Sequence, residues 1–197
     1  MTVAAAPIEP TAPPVRGHEL DDVTVRRAQR HDPGACRALV AHHQAAVFAL
    51  LGRMLGGGRR ATVEDLAQDT FLAVFQRLPG FAPTGPARLS TWILAIASRR
   101  AIDELRRRRP TPIAVIDLAA DPRPDAIDRR QLGAAIDRAI AALSPEFRAA
   151  FLLRELHGLD YGEIAAALDI ELGTVRSRLN RARHALQAAL AEVRHDR

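Results

Sequence analysis

Apolar positions in this chain recur at helical spacing, and proline and glycine interrupt them at a few places. Between Asp21 and Arg109 the breaks fall at Asp32-Pro33-Gly34, at Gly56-Gly57-Gly58 and across Pro79 to Pro86. The stretches between them carry the i, i+3, i+4 pattern and predict four helices, over 22–30, 34–55, 62–78 and 90–109. A second helical block runs from about Gln131 to Arg194, with breaks before Ser144-Pro145 and at His157-Gly158. The segment RRRRPTPIAVIDLAADPRPDAIDRR between the blocks is proline-rich with alternating charge, and predicts an extended linker over 110–130. Residues 1–20, with Pro7, Pro10, Pro13 and Pro14, predict a tail that does not pack. The expected fold class is therefore all-α, with two small helical domains over 21–109 and 131–194.

Helix-start chemistry supports this reading. Thr62-Val63-Glu64-Asp65 resembles a capping box with a short acid in the reciprocating position. Ser144-Pro145 sets a cap before proline at the first helical position, where its missing N–H costs nothing. Asp160-Tyr161-Gly162-Glu163 is a capping box with the preferred Glu.

The strongest local pattern lies in LDYGEIAAALDIELGTVRSRLNRARHAL, residues 159–186. A short capped helix over 161–168, a turn at Asp169-Ile170-Glu171 and a longer helix have the spacing of a helix-turn-helix. Ile164, Leu168 and Ile170 close one side of a small core, and Val175, Leu179, Ala182 and Leu186 form the apolar stripe of the second helix. Its other face presents Thr174, Ser177, Arg178 and Arg181, with Arg176 at the margin. Solvated helix faces usually mix charge signs, whereas almost no acid occurs between Gly173 and Arg183, so DNA binding is the favoured reading. Arg176 and Arg178 are assigned to base edges or nearby phosphates, and Thr174, Ser177 and Arg181 to positioning on the backbone.

Composition agrees. Aromatics make up 4% of the chain, so cores must be filled by aliphatic side chains and Ala, which suits helices. All 28 basic residues are Arg, and the formal net charge is +5. An Arg- and Ala-rich composition fits a GC-rich genome, yet Arg is also the side chain that grips phosphate and guanine bidentately. Cys36 has no second cysteine to pair with, and its apolar neighbours make it a small core residue. No apolar run reaches membrane-spanning length and no signal peptide is apparent, so a cytoplasmic protein without membrane insertion is expected. The seven His are scattered, and the neighbours His42 and His43 point about 100° apart on a helix, so no metal or other cofactor is expected. No set of nucleophile, base and orienting group converges, so no catalytic residues are expected and an enzyme is disfavoured.

The two remaining helices of the first block have contrasting surfaces. LSTWILAIASRRAIDELRRRR begins apolar, with Trp92, Ile93, Ile96 and Ala97 expected to pack, and ends in Arg99, Arg100, Arg106, Arg107, Arg108 and Arg109 around Asp103 and Glu104. Cations suit a helix C-terminus, but four consecutive arginines exceed that need. Along VEDLAQDTFLAVFQRL, residues 63–78, Asp65, Gln68, Asp69, Leu72 and Gln76 share one side, and Val63, Ala67, Phe71, Val74 and Leu78 the other. Glu64 and Asp65 are explained by the helix dipole. Asp69 beside an exposed Leu72 is not, and a polar rim around a leucine suits a protein partner.

Taken in order, DPGACRALVAHHQAAVFALLGRML, VEDLAQDTFLAVFQRLPGF, LSTWILAIASRRAIDELRRRR and LDYGEIAAALDIELGTVRSRLNRARHAL resemble successive regions of the bacterial extracytoplasmic-function sigma factors, over residues 20–190. The resemblance implies a sigma subunit that binds core RNA polymerase and directs promoter recognition and DNA melting. It implies that Glu64, Asp65, Gln68 and Asp69, with Leu72 among them, meet the clamp coiled coil of the largest polymerase subunit. It implies that the helix carrying Arg99, Arg100, Arg106 and Arg107 faces the downstream promoter element, with the loop PGFAPTGPARL receiving an unstacked base, and that the second domain reads the upstream element. The linker, with Asp117, Asp121 and Asp125, then threads past the polymerase active site. Arg99 stands where the family often has Asn, Glu171 where it often has Pro, and Asp169 where it often has Gly. The chain ends soon after the second domain, so regulation is expected from a separately encoded anti-sigma protein. A stand-alone helix-turn-helix regulator that binds an operator without polymerase is the alternative, and it leaves the acidic third helix unexplained.

Overall fold

The computed structural model describes residues 19–56, 60–85, 87–107 and 124–195, with the side chains of 124–132, 190 and 192–195 outside the description. The tail, the glycines after Gly56, Arg108, Arg109 and the first part of the expected linker, with Asp117 and Asp121, lie outside the described residues, as does the Asp125 side chain. Eight α-helices and one 3₁₀ turn follow in order, with no strand among the described residues: α1 Asp22–Gln29, α2 Pro33–Met54, α3 Arg60–Arg77, a 3₁₀ turn Leu78–Gly80, α4 Leu89–Arg107, α5 Pro124–Ala142, α6 Pro145–Glu155, α7 Tyr161–Leu168 and α8 Leu172–His195.

Four of the eight helix starts follow from their capping residues. Asp21 accepts from Thr24 N, and Asp32 accepts from Ala35 N with Pro33 at the first helical position. Ser144 accepts from Phe147 N, and Asp160 and Glu163 form the full reciprocal box. Two starts differ from the sequence reading. α3 already runs from Arg60, so Thr62 lies inside it, and Glu64 pairs with Arg60 one turn back at 2.9 Å. α5 begins at Pro124, within the stretch expected to be an extended linker over 110–130. Proline density makes that stretch read as extended, but a proline at the first turn is compatible with a helix.

The core starts with α1 to α4. Leu39, Val47, Leu50, Leu51 and Met54 of α2 meet Leu66, Phe71 and Val74 of α3 and Ile93, Ala97 and Ala101 of α4. Ahead of α1, the Glu19 carboxylate accepts from the Ser90 hydroxyl and backbone N–H, tying the incoming chain to the start of α4. Cys36 packs half-buried against this core, and burial, with Asp32 nearby, pushes its thiol up.

A second packing layer joins the two blocks. α4 contacts α6 and α7, and α2 contacts α5 and α6, so the apolar cluster runs continuously through both. α4 is consequently buried on two sides, with every residue from Ile93 to Ser98 buried. Arg148 of α6 is 5% exposed, and its guanidinium donates to the Met54 carbonyl at the end of α2 and to the Ala141 and Leu143 carbonyls. It thereby satisfies carbonyls left over at two helix ends.

One buried and one half-buried imidazole set an acid limit on this packing. His43 and His157 each have an Nε2 with no partner among the described residues. Burial, with His42 against it and Glu19 partly offsetting, lowers His43 to about 4, and burial with Arg53 nearby lowers His157 to about 4. The fold holds both neutral, so between their unfolded value near 6.5 and about 4 the unfolded chain binds more protons than the folded one. Stability is therefore expected to fall as pH drops through that window, by on the order of 1–2 kcal/mol per histidine at about pH 5. Urea unfolding at pH 7.5 and pH 5 checks this; an unmoved midpoint contradicts it.

Candidate nucleic-acid interface

The second helix of the helix-turn-helix pattern, α8, begins after a left-handed turn. Asp169 closes α7 with φ 56°, a region that Asp tolerates better than most side chains. Gly158 adopts φ 66° at the end of α6, where its N–H reaches the Arg154 carbonyl and Leu159 N–H reaches Leu153. These two turns set α6, α7 and α8 around Leu153, Ile164, Val175, Leu179 and Ala182, all at most 1% exposed. With that stripe inward, Thr174, Arg176, Ser177 and Arg181 are exposed and Arg178 is half-buried, while Leu172 adds an exposed apolar side chain at the first turn. Arg183, further along, is turned back onto the fold: it donates to Glu155 at 2.9 Å. The Arg154 guanidinium lies 5.4 Å from the Tyr161 ring centre and steadies α7 against α6.

On α3 the structure separates the two faces. Val63, Ala67, Phe71, Val74 and Leu78 are buried, whereas Glu64, Asp65, Gln68, Asp69 and Gln76 are exposed and Leu72 is 52% exposed among them. Glu64 is engaged by Arg60 within α3, whereas Asp65 and Asp69 are exposed on the side of the helix that carries Leu72.

α4 carries the second basic group. Arg99, Arg106 and Arg107 are exposed and Arg100 is half-buried. Arg100 reaches Asp69 across the helix pair at 3.5 Å, so residues assigned to a protein partner and to DNA meet along one seam. Arg107 lies 3.5 Å from Glu104. Arg106 donates through Nε at 3.0 Å and through its terminal amine at 2.7 Å to Glu146 of α6. At the other end of α4, Phe81 and Trp92 stack with ring centres 5.1 Å apart, and Gln29 donates to the Leu78 and Phe81 carbonyls, which fixes the turn before the loop to α4.

Three residues that the sequence reading leaves aside matter here, Arg88, Glu146 and Arg148, and Glu163 of the capping box has a second role. Glu163 accepts from the Thr91 hydroxyl at 3.4 Å and lies 3.9 Å from Arg88. For Arg148 a signal exists in the sequence, because an arginine one turn before Leu152 interrupts the apolar stripe of α6. The acids give none, since each also suits its own helix start. Among the described residues no group of His, Cys, Asp and Glu could hold a metal ion, and no helix is long and apolar enough to cross a membrane.

Comparison with known proteins places both blocks. Residues 39–111 match the family model of sigma-70 region 2, and residues 133–186 that of sigma-70 region 4. The ECF RNA polymerase sigma factor SigE of Mycolicibacterium smegmatis is 38% identical over 162 residues, 78% of this chain; the chain spans 61% of SigE's length. The RNA polymerase sigma-H factor of Pseudomonas aeruginosa is 32% identical over 188 residues, covering 87% of this chain and 94% of that protein. Among solved structures, CnrH in complex with the cytosolic domain of CnrY superposes with a TM-score of 0.64 at 25% identity, over 86% of this chain and 96% of CnrH.

Proposed function

This chain belongs to the extracytoplasmic-function sigma factors of RNA polymerase, and we propose that α3 is its docking surface for the polymerase core while α4 and α8 meet promoter DNA. The observation that carries the docking assignment is the exposed face of α3, where Asp65, Gln68 and Asp69 ring Leu72, the most exposed large apolar side chain of that helix. Solvation alone favours no leucine there, and because α3 runs from Arg60 neither Asp65 nor Asp69 lies in the first turn, where the helix dipole would account for an acid, contrary to the sequence expectation for Asp65. A coiled coil of the clamp presenting basic side chains around an apolar contact is the complementary surface.

α8 supplies the upstream contacts. Its first turns expose Thr174, Arg176 and Ser177 and leave Arg178 half-buried, with Arg176 and Arg178 at opposite edges of the face turned away from Val175 and Leu179, and a recognition helix enters the major groove by this end. Arg176 and Arg178 reach base edges or adjacent phosphates, and Thr174, Ser177 and Arg181 fix the register on the backbone. Arg99, Arg100, Arg106 and Arg107 line α4 beside the downstream element, and the loop ahead of α4, held by the Phe81–Trp92 stack, offers a place for an unstacked base. Sigma function requires no bond-making group of its own, and the protein works by binding energy alone.

CnrH forms a complex with the cytosolic domain of another protein, CnrY. A separately encoded anti-sigma protein is the regulator proposed for this chain. The docking assignment is tested by gel filtration of the full chain with core RNA polymerase: co-elution at stoichiometric amounts supports it, and separate elution of the two removes it.

A further inference from the structure

The ion pair between Arg106 and Glu146 joins two groups far apart in sequence and on different blocks. Arg106 presents two nitrogens to one carboxylate oxygen, the charge-assisted contact that it would otherwise make with a phosphate. Partial burial pushes the Glu146 carboxyl up, but the Arg106 hydrogen bonds outweigh it with help from the backbone at the start of α6, and the carboxyl stays ionised.

A lone surface pair would count for little. This one rests on a buried platform. α6 is seated on α2 by Arg148, whose guanidinium reaches the Met54 carbonyl, and it also contacts α4 within the continuous apolar cluster. α7 is seated on α4 through Glu163, which meets Thr91 and approaches Arg88. The carboxylate of Glu146 is therefore delivered to Arg106 by a rigid surface, with little conformational freedom left to lose. The same seating brings a second acid to a second arginine of the first block.

Resting on the reading of α4 as a DNA-facing helix, we propose that Glu146 stands in for a DNA phosphate on Arg106 in the free protein, so that the C-terminal block screens the basic end of α4 until it is displaced. Phosphate and Glu146 then compete for one guanidinium. Binding of DNA along α4 and seating of α6 on α4 oppose each other by linkage, and a partner that draws α6 away favours DNA on α4.

A double-mutant cycle on the full chain tests this, with a duplex of unrelated sequence as the probe. E146Q is expected to raise duplex affinity by about threefold to tenfold at low salt and to steepen the slope of log K against log salt by about 0.9, as one more phosphate contact requires. In an R106A background E146Q is expected to change neither quantity. E146A, which deletes the carboxyl without leaving an amide, must behave in the same way. An equal gain with and without Arg106 would mean that Glu146 acts by long-range charge alone, and no gain in either background would mean that it does not screen Arg106; each result overturns the proposal. Promoter-directed transcription by the same preparation with core polymerase separates this failure from failure of the sigma reading, since it survives the first and not the second.

Discussion

Replacing Asp65 and Asp69 together with arginine is expected to weaken binding to core RNA polymerase by about a hundredfold or more. Both carboxylates are exposed on the face of α3 that carries Leu72, and both are outside the hydrophobic core, so the substitutions remove no packing. Reversing them sets like charges against a basic partner surface, which costs several kcal/mol across an interface. Asp69 needs a separate control, because it lies 3.5 Å from Arg100 and an arginine there would also repel that neighbour. Asp65→Arg alone should account for much of the loss, and Asp69→Asn should weaken binding without repelling Arg100. Titration of labelled core polymerase with each variant measures this. Binding of the double variant at wild-type affinity would contradict the docking assignment.

Replacing Arg176 and Arg178 with alanine is expected to remove about a hundredfold or more of the affinity for the upstream promoter element. Each good bidentate contact to a base edge is worth about 1–3 kcal/mol of discrimination, and a phosphate contact adds its share of salt dependence. Alanine is the best helix former, and the apolar side of α8 is untouched, so helicity should persist. Val175 and Leu179, on either side of these arginines, are buried at 0% and 1% and keep the helix on its core. Arg178, being half-buried, has more to lose in packing than Arg176, and circular dichroism of the single variants distinguishes that loss from loss of DNA contacts. Footprinting of the reconstituted holoenzyme over the upstream element measures the binding. An unchanged footprint would take both arginines out of the reading surface.

The helices and their inward faces are legible because each follows from residues close in sequence. The periodicity of Val63, Ala67, Phe71, Val74 and Leu78 names the buried side of α3 without reference to the rest of the chain, and all five are buried. The same holds for Val175, Leu179, Ala182 and Leu186 in α8. The capping box at Asp160 is legible for the same reason. The start of α5 is not, because proline serves both an extended chain and a helical first turn, and composition does not distinguish them.

Contacts between the blocks are illegible for a deeper reason. Arg106 at the end of α4 and Glu146 at the start of α6 each have a sufficient local explanation in the helix dipole, so neither announces a partner. The pairing of Asp69 with Arg100 is hidden in the opposite way: each fits a surface of its own, although α3 and α4 bring them to one seam. Arg148 is the exception, since a charge within the apolar stripe of α6 requires buried carbonyls to receive it. Helix periodicity reports which side of an element is buried, but two-sided burial such as that of α4 reports only that a second partner exists.

Transcription in vitro tests the account most directly. Core RNA polymerase is supplied with genomic fragments, with and without this protein, and transcript 5′ ends are mapped. Discrete start sites that appear only with the protein present, and that disappear with the Asp65→Arg, Asp69→Arg variant, are the predicted result. Binding of the protein to DNA fragments with no new start site in the presence of polymerase would contradict it.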